Sequence, residues 1–290
     1  MSTVGIFTII KNEHLFLDEW IQYHLNLGVD KIYVFEDVGS LSHEEICNKY
    51  DKVQLFKITD IYSKIIASNI VHNRKIKYTK YGIQLKFMYD IIEYVHKQKC
   101  LDWLIYIDAD EFITLEKNDD FVKNIFDSYN DYAIVVLRWK NYNADGHIYR
   151  PVGNVLDNYN SPCDKIPGLS TCSTASKLAF NLHAWDRNTI KCTFHTPSMS
   201  SNCFKWCKTD YTTNLGSSTY KNIYIRHYIT KSFEDYCNKI FVRGQFNKSM
   251  TITRFFALNP DLSRDDKDIV NILNSYYEKF MNGELDFTVW

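Results

Sequence analysis

The chain has 290 residues, enough for one large α/β domain or for one domain with a modest appendage. Its formal net charge of -1 gives no general attraction to nucleic acid or to a membrane surface. No apolar run approaches the roughly 18 residues of a membrane span, and 8 cysteines are too sparse for a disulfide scaffold. We therefore expect a soluble cytoplasmic protein, unless the chain is a fragment of a longer membrane-anchored one. A homodimer stays open.

The beginning of the chain predicts a strand, a helix and a second strand. The apolar run VGIFTII (4–10) is the first strand, and Asn12 can cap a helix that ends at Gly28. KIYVFED begins the next strand, so the two strands are expected to be parallel. No GxGxxG motif links the first strand to the helix, and a nucleotide bound here would therefore not be held by a dinucleotide fingerprint.

Strands and helices continue to alternate up to Trp139. VQLFKI predicts a third strand, residues 83–97 a long amphipathic helix, and YAIVVLRW (132–139) another strand. This alternation predicts an α/β fold with a mixed, mostly parallel sheet flanked by helices.

The rest of the chain has a different composition. Polar loops and short strands follow Trp139; then Ser232 and Asp235 predict the start of a helix, and residues 267–281 predict a last amphipathic helix. We predict a main domain over residues 1–235 and a helical extension over residues 236–290, packed on that domain.

A basic stretch with aromatic residues precedes the long amphipathic helix. It spans residues 63–80 and contains Arg74, Lys75, Lys77 and Lys80 beside Tyr78 and Tyr81. A solvated face and an anion-binding lid both fit this composition.

Three acidic residues directly follow the apolar run WLIYI (103–107). In an extended chain, Asp108 and Asp110 point to one side and Glu111 to the other. Two carboxylates on one side repel each other unless a cation or hydrogen-bond donors lie between them. Two aspartates at this spacing can hold Mg2+ or Mn2+ beyond the carboxyl end of a strand. Acids that cap a turn are an equally good interpretation.

Polar residues also follow other predicted strands. Asn12 and Glu13 come after the first strand and Asp37 after the second, where they could hold a base and a ribose. His227 closes a later strand. Lys231 and Ser232 follow at a helix start that would suit a diphosphate.

Four segments together resemble a known family. KNEHLFLDEWIQYHLNLGVDKIYVFED, IQLKFMYDII with WLIYIDADEF, RWKNYNADGHIYRP and RHYITKSFEDYCNKIFVRG occur in the order and rough spacing of glycosyltransferase family 92 and its bacterial and viral relatives. The resemblance covers about residues 4–245. It implies a Rossmann-like GT-A fold, a nucleotide-sugar half over about residues 1–115 and an acceptor half over about residues 116–235.

The resemblance also implies ligands and their residues. The donor would be a UDP-hexose, with galactose favoured, and the acceptor a glycan, a glycoconjugate or another hydroxyl compound. Mn2+ or Mg2+ would be held by Asp108, Asp110 and His227. The expected donor-binding residues are Asn12, Glu13, Asp37, Gln84, Asp108, Ala109, Lys231 and Ser232.

Inversion of configuration, which the resemblance suggests, needs a carboxylate that accepts the proton of the attacking hydroxyl. Asp145, in a glycine-containing loop after a core strand, is the first candidate; Asp186 and Glu111 are its rivals. A phosphohydrolase is an alternative function, although its aspartates usually follow the first strand. A non-catalytic protein that binds nucleotide sugars or glycans is another alternative.

Two further patterns have competing interpretations. Cys192, His195, Cys203 and Cys207 could bind zinc, or they could be buried thiols and an acceptor-site histidine. Tyr142, Trp185 and Trp206 could stack on an acceptor sugar, or they could belong to the core.

Overall fold

A computed structural model describes residues 1–37, 40–58, 80–116, 121–163, 176–197, 206–208, 211–214, 217–220, 223–242 and 251–285. The chain divides into two compact units, Met1–Trp139 with Thr174–Ile225 (unit 1) and Lys140–Ser173 with Arg226–Trp290 (unit 2). The predicted division near residue 235 stays a prediction. Most of the basic stretch 63–80 lies outside the described residues, as do all its side chains.

The described strands are numbered in chain order: β1 (Val4–Ile10), β2 (Lys31–Glu36), β3 (Val53–Lys57), β4 (Trp103–Tyr106), β5 (Glu111–Leu115), β6 (Ile134–Asn141), β7 (Ser176–Asn181), β8 (Trp206–Lys208), β9 (Tyr211–Asn214), β10 (Ser217–Tyr220) and β11 (Ile223–His227).

The described helices are α1 (Leu17–Asn26), α2 (Glu44–Cys47), α3 (Lys80–Gln98), α4 (Val122–Asp127), α5 (Val155–Asn158), α6 (Phe233–Cys237), α7 (Ile252–Leu258) and α8 (Lys267–Met281). A π-helical turn, Asn238–Val242, directly follows α6.

One mixed sheet contains most of the strands, in the order β3-β2-β1-β4-β7-β6-β11-β5, and β8 pairs with β6 off this path. β3, β2, β1 and β4 are parallel to one another, whereas β7 is antiparallel to both β4 and β6. β9 and β10 form a separate antiparallel pair. The predicted class, a mixed α/β sheet flanked by helices, is confirmed. β4 and β5 are joined by only residues 107–110, although three strands lie between them in the sheet order.

The core of unit 1 forms because its central strands are apolar on both faces. All four residues of β4 are buried, as are all but one of the residues of β1. Met88, Ile92 and Val95 of α3 pack in the same cluster as Phe7 and Leu104. Because large apolar side chains each contribute about 1.5–3 kcal/mol when buried, this cluster fixes the strands whose carboxyl ends carry the acidic residues.

Unit 2 has its own apolar core, built from α6, α7 and α8. Phe233, Phe255, Ile269 and Ile272 lie in one buried cluster. The predicted start of α6 is confirmed, since the Ser232 hydroxyl accepts a hydrogen bond from the backbone N–H of Asp235 at 3.1 Å. The predicted bounds of the last helix, residues 267–281, are also confirmed.

Asn12 does not cap α1, so that prediction is wrong. Its φ of 55° is left-handed, and its Oδ1 accepts a hydrogen bond from the backbone N–H of Leu41 at 2.8 Å. A turn in which the Phe16 N–H donates to the Glu13 carbonyl separates Asn12 from the helix, which begins only at Leu17. Asn12 therefore connects two loops and does not cap the start of a helix.

His24 links α1 to β5 inside the core of unit 1. Its Nδ1–H donates to the Trp20 carbonyl at 2.8 Å, and its Nε2 accepts from the backbone N–H of Ile113 at 3.2 Å. The ring must be neutral to make both bonds. Burial lowers the pKa of His24 to about 3, despite the opposing effect of the bond to Trp20.

This buried histidine predicts a loss of stability in acid. The pKa of His24 is about 6.5 in the unfolded chain and about 3 in the folded chain. The stabilisation that the neutral ring gives to the folded state is therefore complete above a pH of about 6.5, and it is lost as the pH falls toward 3. Between pH 7 and pH 5 the cost from this group is about 2 kcal/mol. Urea unfolding at both pH values should show that the free energy of unfolding falls less between pH 7 and pH 5 for His24→Gln than for the wild type. An equal fall would contradict the neutral, buried state of His24.

Candidate functional site

The acidic residues after β4 lie on a turn and not in one extended strand. β4 ends at Tyr106, the Glu111 N–H donates to the Asp108 carbonyl at 3.0 Å, and β5 begins at Glu111. The prediction that Glu111 points away from Asp108 is therefore wrong, because the turn breaks the alternation of the strand. The Oε2 atom of Glu111 accepts a hydrogen bond from the backbone N–H of Asp108 at 3.0 Å.

Lys177 is the residue that brings these acids together, and the sequence analysis missed it. β7 is antiparallel to β4, so the first residues of β7 lie at the carboxyl end of β4. Lys177 is 1% exposed, and its Nζ lies 2.6 Å from Asp108 Oδ2 and 3.6 Å from Glu111 Oε2. We call Asp108, Asp110, Glu111 and Lys177 the acid–lysine cluster.

Tyr106 completes the contacts of Asp108. Its hydroxyl donates to Asp108 Oδ1 at 2.9 Å, and its ring centroid lies 4.2 Å from the Lys177 ammonium. Both oxygens of the Asp108 carboxylate are thus held by donors, and the ammonium gains a cation–π contact.

The cluster shifts the pKa values of its acids in opposite directions. Burial and Asp110 raise the pKa of Asp108, but Lys177 and the Tyr106 hydroxyl lower it more, so this carboxyl ionises below its ordinary range. Burial raises the pKa of Glu111 well above its ordinary value. The charges of Asp108 and Asp110 add to that rise, and Lys177 only partly offsets it.

The pair Asp110 and Glu111 fits a divalent cation. Both side chains are buried, and one carboxylate oxygen from each lies within 4.8 Å of the other. Glu111 Oε1 is fully buried and has no hydrogen-bond partner among the described residues. An orphaned buried carboxylate oxygen is costly unless a ligand satisfies it. Clustered carboxylate oxygens are the donors that Mg2+ and Mn2+ prefer.

Aromatic side chains line the cluster. The Trp139 ring lies 5.7 Å from the Lys177 ammonium and 5.2 Å from the His195 ring. The Nδ1–H of His195 donates to the Ser176 carbonyl at 2.8 Å. Burial and the charge of Lys177 lower the pKa of His195, which favours a neutral ring. Such a wall can pack against a sugar or a base.

A second buried network lies where β1 and β2 end. The Glu36 carboxylate accepts from both the backbone N–H and the ring Nδ1–H of His43, at 2.8 and 2.9 Å. His43 Nε2 in turn accepts from the backbone N–H of Glu13 at 3.0 Å. His43, which sequence reasoning did not select, therefore joins the loops that follow these two strands.

The predicted donor-binding residues of unit 1 share one edge of the sheet. Because β1, β2 and β4 are parallel, Asn12 and Glu13, Asp37, and Asp108 follow the carboxyl ends of three neighbouring strands. Ala109 is buried in the turn between β4 and β5. The side chain of Gln84 lies outside the described residues.

Asp186 is not brought to the acid–lysine cluster. Trp103 pairs with Asn181, so β7 ends at the amino end of β4, and Asp186 follows that end. Its Oδ1 accepts from the backbone N–H of Asn188 at 2.9 Å, and this bond lowers its pKa. Its contacts are those of a turn residue.

The other candidates lie in unit 2. Asp145 has a φ of 52°, and its carboxylate accepts from the backbone N–H groups of Asn160 and Ser161 and from the Ser161 hydroxyl. Burial raises its pKa, but these donors lower it more. A depressed pKa makes a weaker base, so the contacts give Asp145 a role in holding its loop.

His227, Lys231 and Ser232 also belong to unit 2. His227 Nδ1 lies 2.8 Å from Asn141 Oδ1, which orients the ring. Lys231 is buried and has a φ of 52°. The Ser232 N–H donates to the Tyr159 hydroxyl, and its own hydroxyl donates to Asp235. The hydroxyl of Ser232 therefore caps α6, and its N–H is engaged by Tyr159.

The zinc hypothesis stays a prediction, because Cys203 and the side chain of Cys207 lie outside the described residues, as does that of Trp206. Cys192 is buried, and its Sγ lies 3.5 Å from the Tyr89 hydroxyl. The Trp185 indole N–H donates to Glu93 at 3.0 Å, and its ring is buried, which favours a core role over sugar stacking.

No family model matches the chain, and no curated protein matches it. Among solved structures it is similar to HddC from Yersinia pseudotuberculosis, at 11% identity and a TM-score of 0.40, over 83% of this chain and 100% of that chain. It is also similar to glucosyl-3-phosphoglycerate synthase from Mycobacterium tuberculosis, solved in complex with Mn2+, UDP and glucosyl-3-phosphoglycerate. That match has 13% identity and a TM-score of 0.30, over 63% of this chain and 57% of that chain.

A third solved structure, described as a mycobacterial protein, is 12% identical with a TM-score of 0.29, over 48% of this chain and 42% of that chain. At these values we infer function from the contacts of the site. The resemblance to glycosyltransferase family 92 stays a prediction. None of the described helices has the length and apolar content needed to traverse a bilayer.

The Lys177 contacts predict a large effect on stability. Lys177→Met would leave Glu111 buried beside Asp108 without a compensating cation, at a cost of about 2–4 kcal/mol. This range lies below that of a fully buried pair, because the Asp108 side chain is 41% exposed and can regain water. Urea unfolding in the presence of a chelator measures the change.

A matched control is Lys86→Met. Lys86 lies 2.7 Å from Asp90 in a partly exposed pair within α3, so its loss should cost less than about 1 kcal/mol. Equal effects of the two substitutions would contradict a special role for Lys177.

Proposed function

We propose that the protein is a metal-dependent glycosyltransferase that moves a hexose from a UDP-sugar to a hydroxyl group of a glycan or another acceptor. The observation that carries the proposal is the acid–lysine cluster at the carboxyl end of β4, in the sheet order β2-β1-β4. In open α/β sheets, ligands bind beyond the carboxyl ends of the strands. A buried carboxylate pair with an orphaned oxygen is suited to a cation that binds a diphosphate.

The donor would bind along this edge of the sheet. We propose that Glu13 and Asp37, after β1 and β2, contact the base and the ribose, since β4, β1 and β2 are consecutive parallel strands of the sheet. The bonds of His43 to Glu36 and to the Glu13 backbone support this proposal, because they fix the loop before donor binding. Rigid loops lower the entropy cost of binding.

The metal would be held by acids of the cluster. In unit 2, the contact between His227 Nδ1 and Asn141 fits the metal-binding role that the resemblance implies for His227, because a ligating imidazole is usually oriented through its other ring nitrogen. When bound, a divalent cation offsets the negative charge that develops on a leaving diphosphate. Lys177 would meanwhile hold Asp108 in place.

None of the three candidate carboxylates fits the role of general base. Asp145 is held by three donors that depress its pKa, Asp186 follows the opposite end of β4, and Glu111 is fully buried. The aromatic wall of Trp139 and His195 is the proposed acceptor side, since apolar sugar faces pack well on such rings.

The rival functions predict different products. A phosphohydrolase would need an aspartate oxygen that can attack phosphorus, but both oxygens of Asp108 are held by Lys177 and Tyr106. Incubation with a panel of nucleotide sugars and Mn2+, UDP-galactose among them, should release UDP from a UDP-hexose. Hydrolysis of p-nitrophenyl phosphate without nucleotide release would favour the phosphohydrolase. UDP binding with neither reaction would indicate a non-catalytic protein.

Asp110→Asn is predicted to weaken Mn2+-dependent UDP binding by more than about 100-fold, since even indirect partners of a metal contribute 10–100-fold. Isothermal calorimetry with and without Mn2+ measures the change. Asp51→Asn, in an exposed turn before β3, is the matched control and should bind like the wild type. Undiminished binding by Asp110→Asn would exclude this residue from the metal site.

A further inference from the structure

We propose that Asp108 and Lys177 form a self-neutralised pair that does not bind the cation, and that Asp110 and Glu111 are the carboxylates that do. Lys177 is then a positioning residue that keeps the first acid of the cluster away from the metal. This inference rests on the metal dependence of the proposed function. It departs from the set Asp108, Asp110 and His227 expected from the sequence, since it removes Asp108 and adds Glu111.

The contacts of Asp108 are the first reason. Its Oδ2 is 2.6 Å from the Lys177 ammonium, and its Oδ1 accepts the Tyr106 hydroxyl at 2.9 Å. To bind a cation strongly, the carboxylate would have to give up one of these donors. A divalent cation on the same oxygen as the ammonium would also be repelled by it.

The contacts of Glu111 are the second reason. Its Oε2 accepts from the Asp108 N–H, which orients the carboxylate, while its Oε1 is fully buried with no hydrogen-bond partner among the described residues. An oxygen of Asp110 lies within 4.8 Å of an oxygen of Glu111, close enough for both to reach one ion. A cation there would satisfy the buried oxygen.

The balance of charge is the third reason. With a divalent cation bound, Asp108, Asp110 and Glu111 are all ionised and carry -3, and Lys177 carries +1, so the cluster carries -2 and matches the charge of that cation. Without Lys177, the same cluster would attract the cation more strongly and release it less readily. Lys177 therefore reduces the metal affinity while it holds Asp108.

The test is a double-mutant cycle on the full chain. The affinity of each variant for Mn2+ alone is measured by isothermal calorimetry. Lys177→Met should bind Mn2+ at least about tenfold more tightly, because a repelling charge is removed. Asp108→Asn should bind it more weakly, because the ammonium loses its partner. The double variant Asp108→Asn with Lys177→Met removes one charge of each sign and should bind within about threefold of the wild type.

The double variant decides between the alternatives. If Asp108 is a ligand, the double variant loses Mn2+ binding as Asp110→Asn does, and the inference is overturned. If Lys177 has only a structural role, Lys177→Met binds Mn2+ no more tightly than the wild type, which also overturns it. Should Lys177→Met alone fail to fold, the double variant still gives the answer, since it removes both charges of the pair between Asp108 and Lys177.

The same measurements separate this inference from the proposed function. A wild-type protein that binds no Mn2+, alone or with UDP, defeats the metal-dependent function and the inference together. Mn2+ binding that survives Asp110→Asn rejects the ligand pair. Mn2+ binding by the wild type that is lost in both Asp110→Asn and the double variant overturns this inference and leaves the metal-dependent function standing.

Discussion

The ion pair between Lys177 and Asp108 is the interaction on which the candidate site depends. A lysine with 1% exposure is tolerated in a strand only if acids neutralise it. That requirement ties the first residues of β7 to the end of β4, and it draws in Glu111 from the start of β5. Three strands thus meet in one charged cluster, and the same contacts that stabilise the fold set the charge available to a ligand.

The local pattern of the sequence was enough to predict one half of this arrangement. Apolar runs interrupted by amphipathic helices predict parallel strands, and parallel strands place the residues after Ile10, Glu36 and Ile107 at one edge. The strand direction of β7 could not be predicted, because its antiparallel pairing depends on contacts between residues that are far apart in the sequence. Lys177 in SKLAFN was nevertheless a usable signal, since a lysine inside a buried strand requires an acidic partner.

Other candidates show why residue type alone is a weak guide to function. Asp145 and Asp186 are acids in polar loops, as a base should be, yet both carboxylates accept hydrogen bonds from nearby backbone N–H groups. Aspartate often stabilises turns in this way. His43 is the opposite case. Nothing in its sequence neighbourhood marks it, but its contacts with Glu36 and Glu13 connect two loops at the edge where a nucleotide is proposed to bind.

The short link between β4 and β5 has a mechanical consequence for the sheet of unit 1. The turn limits the distance between the Cα atoms of Asp108 and Glu111 to about 7 Å, and the step from Tyr106 to Asp108 adds about 7 Å. In a flat sheet, the four spacings between β4 and β5 would span about 19 Å. The sheet must therefore curl until its last strand returns toward its fourth. The turn is thus a short connection between the fourth and the last strand of a curled sheet, and a ligand bound there would hold these two strands together.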